Sequence, residues 1–311
     1  MTIFPSIDRW RNRRAAGDDP GEAARARTYP PPYPGGWYHL LDSDELRPGR
    51  SRVVECFGEA CSVSRSGGQA AVHDGLGRAW PVRELHGMIL AYHEPGRSAR
   101  PEPVIPRFGV EPIADVEDGR LTLRGTYDGG YVKMHLVEFA DNSADSGHFA
   151  PLHGEMLVPF LGWRIPHVVV NHAASMQIDP DLPHVVRFQD DAHLSVFGRH
   201  LAWTGARARA TLWGPGSFNW FRITLPKLGD IVFFQTHLPV GPLVQRVRFR
   251  VFADPRIGRV LVLYVIGSWI AQWRRDVAVW ERKIHRAPPL LVPGDGPLPA
   301  VRRWFTQFYE L

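Results

Sequence analysis

Two histidines five positions apart, His148 and His153, sit in a polar stretch that opens with Asp141 and Asn142 and places Asp145 three residues before the first imidazole. The spacing alone says little. Fourteen histidines in 311 residues generate about 0.6 such pairs by chance, and His167 with His172 repeats the spacing in a strand-like run. What separates the first pair is Asn142-x-x-Asp145-x-x-His148, because residues three apart share a helix face and a carboxylate there can accept an imidazole N–H. Asp276, in Arg275-Asp276-Val277-Ala278-Val279-Trp280, offers a further carboxylate on a second helical segment. Two imidazoles and one carboxylate on one side of a metal leave coordination positions open, the arrangement of non-haem iron(II) oxygenases. The candidate metal ligands are therefore His148, His153 and Asp276. Asp145 and Asn142 are the candidate catalytic groups: Asp145 to orient His148 or act as a base, Asn142 with helix capping as its alternative role.

Positioning these groups requires a scaffold that the rest of the chain describes. Residues 1–35 combine clustered arginines with Pro30-Pro31-Pro32 and read as a flexible arm. Residues 36–105 hold short strand-like pieces (Trp37–Leu41, Arg52–Cys56, Gln69–His73, Gly87–His93) between glycine turns, a small β module, closed by linker-like composition from Arg97 to Pro103. Residues 106–311 change character. A polar helix is expected from Asp141 to His153, ending or kinking at Pro151. Strands follow at Val168–Asn171, His184–Phe188, His193–Val196, Ala208–Trp213, Ser217–Leu225, Asp230–His237 and Gln245–Ala253. A long helical pattern runs from about Val260 through Lys283, and an amphipathic segment covers Val301–Tyr309. The expected class is α+β: a β module, then an antiparallel sheet gripping a long C-terminal helix around a cavity. Alternate members of Phe218, Trp220, Phe221, Phe233 and Phe234 would face that cavity.

Composition removes several function classes. Glycine at 30 and proline at 28 without a collagen period indicate frequent turns rather than helical bundles. Of 37 basic residues only Lys133, Lys227 and Lys283 are lysines; this arginine bias reads as genome composition, so no nucleic-acid partner is expected. Val260 to Ile270 falls short of the roughly 20 apolar residues a spanning helix needs, so no transmembrane segment is expected. The N-terminus shows no apolar signal core, which places the chain in the cytoplasm by default. Cys56 and Cys61 are the only cysteines, too few for a disulfide framework or an all-cysteine metal site.

Several segments together resemble one family. Gly36-Trp37-Tyr38-His39-Leu40-Leu41, Trp80-Pro81-Val82-Arg83-Glu84, Asn142-x-x-Asp145-x-x-His148-x4-His153, Asp276-Val277-Ala278-Val279-Trp280, Gly294-Asp295-Gly296-Pro297 and Arg302-Arg303-Trp304-Phe305-x-x-Phe308-Tyr309 look like the oxygenase component of Rieske non-haem iron oxygenases, in the ketosteroid 9-alpha-hydroxylase and cholesterol 7-desaturase branch. The resemblance implies a helix-grip catalytic domain, a mononuclear Fe(II) on His148, His153 and Asp276, an electron bridge at Asp145, and a trimer. It also exposes a departure. A Rieske [2Fe–2S] centre needs two thiolates and two imidazoles, given in the family by a Cys-x-His and a Cys-x-x-His pair. Cys56 and Cys61 are followed by neither, and the chain runs from Val72-His73-Asp74-Gly75 directly to Leu76-Gly77-Arg78-Ala79-Trp80. Residues 36–105 are thus expected to be a truncated Rieske-like module with no [2Fe–2S] cluster. Asp141 in place of the family's glutamate, and Pro151 between the histidines, are smaller departures.

Monooxygenation in that family draws two external electrons through the cluster. An iron face without that supply points to a tailoring enzyme of specialised metabolism acting on a hydrophobic polycyclic, polyketide or steroid-like substrate by a redox-neutral cyclisation or rearrangement. The alternatives are a non-haem iron oxidase or oxygenase fed by substrate or an unusual donor, and a non-catalytic ligand-binding or accessory subunit.

Overall fold

The computed structural model describes residues 20–96, 104–293 and 295–310. Segment 20–35, expected to be a free arm, is instead docked. Helix α1 (Pro20–Ala26) is fastened by Arg25, whose guanidinium donates to the Lys283 carbonyl at 2.8 Å and the Trp280 carbonyl at 2.6 Å. Tyr29 is buried against the rings of His135 and His285, and Gly35 N–H donates to Phe308 O at 2.7 Å. The correction has a simple cause: the arginine that reads as solvated in sequence finds orphan carbonyls at the end of a long helix. The remainder of the arm and the 97–103 linker lie outside the described residues.

Strand β1 (Gly36–Asp42) is followed by the meander β2 (Ser51–Cys56), β3 (Glu59–Ser66), β4 (Gln69–His73) and β5 (Ala79–Trp80), then by β6 (Val82–Leu85) and β7 (Met88–His93). They form two sheets, β2-β3-β4-β5 and β1-β7-β6. The β2–β3 hairpin turns at Phe57 and Gly58, both with positive φ, the geometry a two-residue turn requires. Helix α2 (Ala114–Glu117) then precedes β8 (Thr122–Val132), helix α3 (Val137–Ala144) and the short strand β9 (Glu155–Leu157).

A single antiparallel sheet follows, in the order β8-β15-β14-β13-β12-β11-β10-β9. Its long members are β10 (Arg164–Ile178), β11 (Val185–Val196), β12 (Arg199–Trp213), β13 (Phe218–Leu225), β14 (Gly229–Gly241) and β15 (Val244–Ala253). Helix α4 (Arg259–Trp280) crosses it, and α5 (Leu298–Phe305) closes the chain. The helix-grip expectation holds. The expected runs at 184–188 and 193–196 are one continuous strand, β11, which pairs on both sides although, beyond Val185 and Val186, only Asp190 is buried. Among the described residues no helix is long and apolar enough to cross a membrane.

The centre of the sheet shows why alternation fails as a signal there. Nearly every residue of β14 is buried because both faces are covered. Val232 and Phe234 pack with Trp37, Met88, Leu90 and Tyr92. Ile231 and Phe233 point the other way, into the cluster containing Ile266, Ile270 and Trp280 of α4. Polar pins fix the contact: Ser217 Oγ donates to the Trp37 carbonyl at 2.7 Å, and His39 Nδ1 lies 3.0 Å from Thr236 Oγ1.

Two buried rings make this packing sensitive to acid. His135 Nδ1 accepts from Val137 N–H at 3.0 Å while its Nε2 lies 3.0 Å from the Pro31 carbonyl. His237 sets Nδ1 on Gly216 O at 2.8 Å and Nε2 on the Gln235 amide at 3.1 Å. Each pattern uses both nitrogens of a neutral ring. Burial, opposed by the carbonyl contact, pushes both pKa values down to about 4. The folded value lies below the unfolded one, so the stability these rings contribute is whole above pH ~6.5 and is lost as pH falls to about 4. Urea unfolding should show a loss of about 2 kcal/mol per ring between neutral pH and about pH 5. Equal stability at the two pH values would refute the buried neutral rings.

Candidate functional site

The expected helix over 141–153 is three pieces. Helix α3 ends at Ala144; Asp145 breaks out of helical geometry at φ −88°, ψ 92°. A 3-10 turn, Ser146–His148, and a π-helical turn, Phe149–His153, follow. The reason lies at both ends. Gly296 of the C-terminal segment presses on the end of α3 so closely that a Cβ there would stand 1.6 Å from the Ala144 carbonyl oxygen. Pro151 cannot continue an ordinary α-helix because it lacks an N–H, and a π turn tolerates it. The wider turn also suits the spacing, since a π turn closes between residues five apart, as His148 and His153 are.

The structure brings His148, His153 and Asp276 together; all three are buried, and a ligand atom from each lies within 4.8 Å of the others. Asp276 comes from the face of α4 that also carries Trp269, Gln272, Trp273 and Trp280, a three-and-four spacing that keeps one stripe toward the sheet. Each imidazole is fixed through its other nitrogen. His148 Nδ1 meets the backbone carbonyl of Asp145, and His153 Nδ1 lies 3.2 Å from Gln272 Oε1. Gln272 is itself oriented by Nε2, which donates to Glu155 O at 3.0 Å and faces His153 O at 3.4 Å. Arg275 completes the clamp, donating to Leu152 O at 2.9 Å and to Glu155 Oε2 at 2.8 Å. Both imidazoles thus turn Nε2 inward with its lone pair, the orientation that a metal ligand needs.

The two rings differ in charge preference. Burial, only partly offset by Asp276, holds His148 below its ordinary pKa. For His153 burial acts in the same direction, but the Asp276 carboxylate outweighs it and the pKa is raised. Asp276 Oδ1 lies 3.1 Å from His153 Nε2 yet makes no well-directed hydrogen bond, and it is fully buried. An orphaned buried carboxylate oxygen facing two inward imidazole nitrogens fits a divalent cation.

The other candidates fall differently. Asn142 lines the cavity with Nδ2 3.4 Å from His148 Nε2; it lies inside α3, so it is not a cap of its start. Asp145 does not use its carboxylate on His148. That group accepts from Gly147 N–H at 2.9 Å and does not line the cavity, so the expected orienting contact is made by the main chain instead. Sequence reasoning missed Gln272 and Arg275, whose positions three residues apart and one turn before or beside Asp276 were the available signal. It also left the His172 and Asp190 pair, 2.7 Å apart in the cavity wall, among undifferentiated strand histidines. Of the aromatics singled out, Phe221 lines the cavity and Phe233 stacks behind it at 4.9 Å; Trp220 faces the other side of the sheet.

The cavity measures about 150 Å³, opens to solvent and is walled chiefly by Phe139, Phe149, Phe188, Phe221, Trp269 and Trp273. An apolar space of this size encloses a ring rather than a large fused molecule, so a larger occupant extends through the mouth. Cys56 and Cys61 are buried, with their sulfurs 3.0 Å apart. Among the described residues they belong to no set of three or more His, Cys, Asp or Glu side chains placed to hold a metal. Among the described residues the pair therefore lacks the two imidazoles that complete a Rieske donor set.

The profile of the 3-ketosteroid 9alpha-hydroxylase C-terminal domain matches residues 92–309. The chain belongs to that family. It is 27% identical to the cholesterol 7-desaturase of Caenorhabditis elegans, over 92% of this chain and 79% of that one. It is 25% identical to cholesterol 7-desaturase nvd of Xenopus laevis, over 90% and 73%. A probable 3-ketosteroid-9-alpha-monooxygenase oxygenase component of Rhodococcus rhodochrous is 26% identical, over 75% and 57%. In fold, this family member superposes on dicamba monooxygenase bound to dicamba with a TM-score of 0.57 at 16% identity, covering 88% of this chain and 96% of that one. The terminal oxygenase of carbazole 1,9a-dioxygenase from Novosphingobium sp. KA1 gives 0.56 at 13%, covering 94% and 99%.

Gly296→Ala should disturb the site from a distance. The new Cβ must displace backbone at the end of α3, so unfolding free energy should fall by on the order of 3 kcal/mol. Gly109→Ala, with nothing within 4 Å of the added carbon, should stay within about 0.5 kcal/mol of the parent. Equal effects of the two would remove the assigned role of the Gly296 contact.

Proposed function

We propose that this protein is an enzyme acting on a hydrophobic polycyclic, polyketide or steroid-like molecule by a redox-neutral ring closure or rearrangement in the cavity between sheet and α4. The reading is supported by the pairing of a buried two-imidazole, one-carboxylate face with two cysteines that, among the described residues, join no set of three or more His, Cys, Asp or Glu side chains placed to hold a metal. His148, His153 and Asp276 would hold a divalent iron, which when bound supplies Lewis-acid polarisation of a substrate oxygen. The remaining chemistry belongs to the chain. Phe188, Phe221, Trp269 and Trp273 exclude water and hold an apolar ring system in one orientation. Asn142, with Nδ2 at the mouth of the triad, offers a hydrogen bond to a polar substrate atom beside the metal face. The names of the relatives, cholesterol 7-desaturases and a ketosteroid monooxygenase, support ring-fused lipids as the substrate class.

A second reading, oxidation with electrons taken from the substrate itself, is favoured by the facial ligand set alone, since that arrangement suits oxygen chemistry. The two separate on stoichiometry. Product formed while an oxygen electrode stays silent supports ring closure or rearrangement; one oxygen consumed per product overturns it.

Metal content is the first test. Protein purified anaerobically with iron supplied should carry about one iron per chain and no acid-labile sulfide. His148→Ala and Asp276→Ala should each reduce that content by tenfold or more, and Gln272→Leu by about tenfold through the loosened His153 ring. Iron retained in the Asp276 variant, or sulfide in stoichiometric amount, would overturn the assignment.

A further inference from the structure

On the wall of the cavity opposite α4, strand β14 carries one polar side chain whose orientation is fixed by a chain of contacts. His237 is fully buried, and its Nδ1 lies 2.8 Å from the Gly216 carbonyl. A carbonyl only accepts, so Nδ1 carries the hydrogen and Nε2 is left with its lone pair. Gln235 approaches that lone pair at 3.1 Å, and only its amide nitrogen can donate to it. The amide orientation follows: Nε2 toward His237, Oε1 away from it. Gln235 is 1% exposed and lines the cavity, and among the described residues its side chain is seen to bond only through Nε2.

The neighbouring donors are already in use. Asn219, directly across on β13, donates through Nδ2 to Gly216 O at 2.7 Å and to the Gln235 carbonyl at 3.1 Å. Ser143 Oγ donates to Phe139 O at 2.9 Å. Gln272 Nε2 is spent on backbone carbonyls, and His172 is engaged by Asp190 Oδ2 and the His153 carbonyl. The indole N–H groups of Trp269 and Trp273 are buried and unpaired, and an N–H cannot supply the acceptor that Oε1 offers. A carboxamide oxygen held without a partner in an aromatic cavity costs free energy until something donates to it.

We infer that Gln235 Oε1 is a substrate anchor that accepts a hydrogen bond from a hydroxyl group, so that the cavity takes ring-fused alcohols in preference to the corresponding ketones. A ketone presents only lone pairs to Oε1 and leaves it unpaired, and a site built around such a bond discriminates strongly against the analogue lacking the donor. With the alcohol on β14 and the triad on the α4 side, the occupant spans the cavity, its ring carbons turned toward His148, His153 and Asp276. The inference deepens the function proposed above and rests on the cavity being the substrate site. It does not depend on iron or on the reaction type.

The test uses the full chain and two bicyclic probes small enough for the enclosed space, 2-tetralol and 2-tetralone, titrated calorimetrically. The alcohol should bind tenfold or more tightly than the ketone. In Gln235→Met, checked for folding by circular dichroism, the ratio should fall to about one, chiefly through weaker alcohol binding. Equal affinities in the parent protein would overturn the inference without recourse to any variant. An alcohol preference that survives in Gln235→Met would overturn it too, by placing the anchor elsewhere. Binding of neither probe would overturn both this inference and the reading of the cavity as a substrate site. Gln235-dependent binding of 2-tetralol together with unchanged affinity in His148→Ala, and no turnover of any fused-ring substrate, would leave the anchor standing while the proposed reaction falls.

Discussion

The site depends on the grip of α4 on one short turn. Phe149–His153 is a π-helical turn with a proline inside it, a conformation with little intrinsic stability. What holds it is a set of contacts from a single turn of α4: Gln272 to the His153 and Glu155 carbonyls, Arg275 to the Leu152 carbonyl and the Glu155 carboxylate. The same helical turn carries Asp276. The element that shapes the turn therefore also delivers the third ligand, and the relative position of His153 and Asp276 is set by one rigid helix rather than by two independent loops. The tension left over, a buried Asp276 oxygen 3.1 Å from His153 Nε2 but without a well-directed hydrogen bond, suits the assembly to a cation.

That dependence explains what the sequence made legible. Strand β14 and its neighbours announce themselves by β-branched and aromatic runs, and α4 by its length. The triad could be assembled because a histidine pair with an ordered context and an aspartate on a second helix are chemically distinctive. The break after Ala144 could not be placed from sequence, since Asn142, Ser143 and Asp145 are all weak helix formers that mark no single end; the contact that coincides with it comes from Gly296, about 150 residues away. Asp145 misled for the same reason. On a continuous helix its carboxylate would face His148, but once the helix ends it turns to cap Gly147 N–H, leaving the contact to its carbonyl. Arg25 shows the converse, a charge that looks solvated until a helix end far along the chain supplies carbonyls. Long-range contacts decided each of these, and local pattern carries no trace of them.

The β1–β7 module has a packing role of its own. The central strand β14 has two buried faces, and the one away from α4 is covered by Trp37, Met88, Leu90 and Tyr92. Removing that cover would expose Val232, Phe234 and Phe252 together, each contributing about 1.5–3 kcal/mol by burial, more than a typical domain's margin could absorb alongside the lost polar pins. On the other side of the same strand Gln235 lines the cavity, while Phe233 and His237 support lining residues from behind. A module that backs the even-numbered side of β14 thereby fixes the odd-numbered side, where Phe233 stacks on Phe221 and Trp269 and Gln235 holds its oxygen toward the occupant. Its contribution to the chemistry is positional: it keeps rigid the wall against which α4 presents the triad, and that requirement holds whether or not electrons ever pass through it.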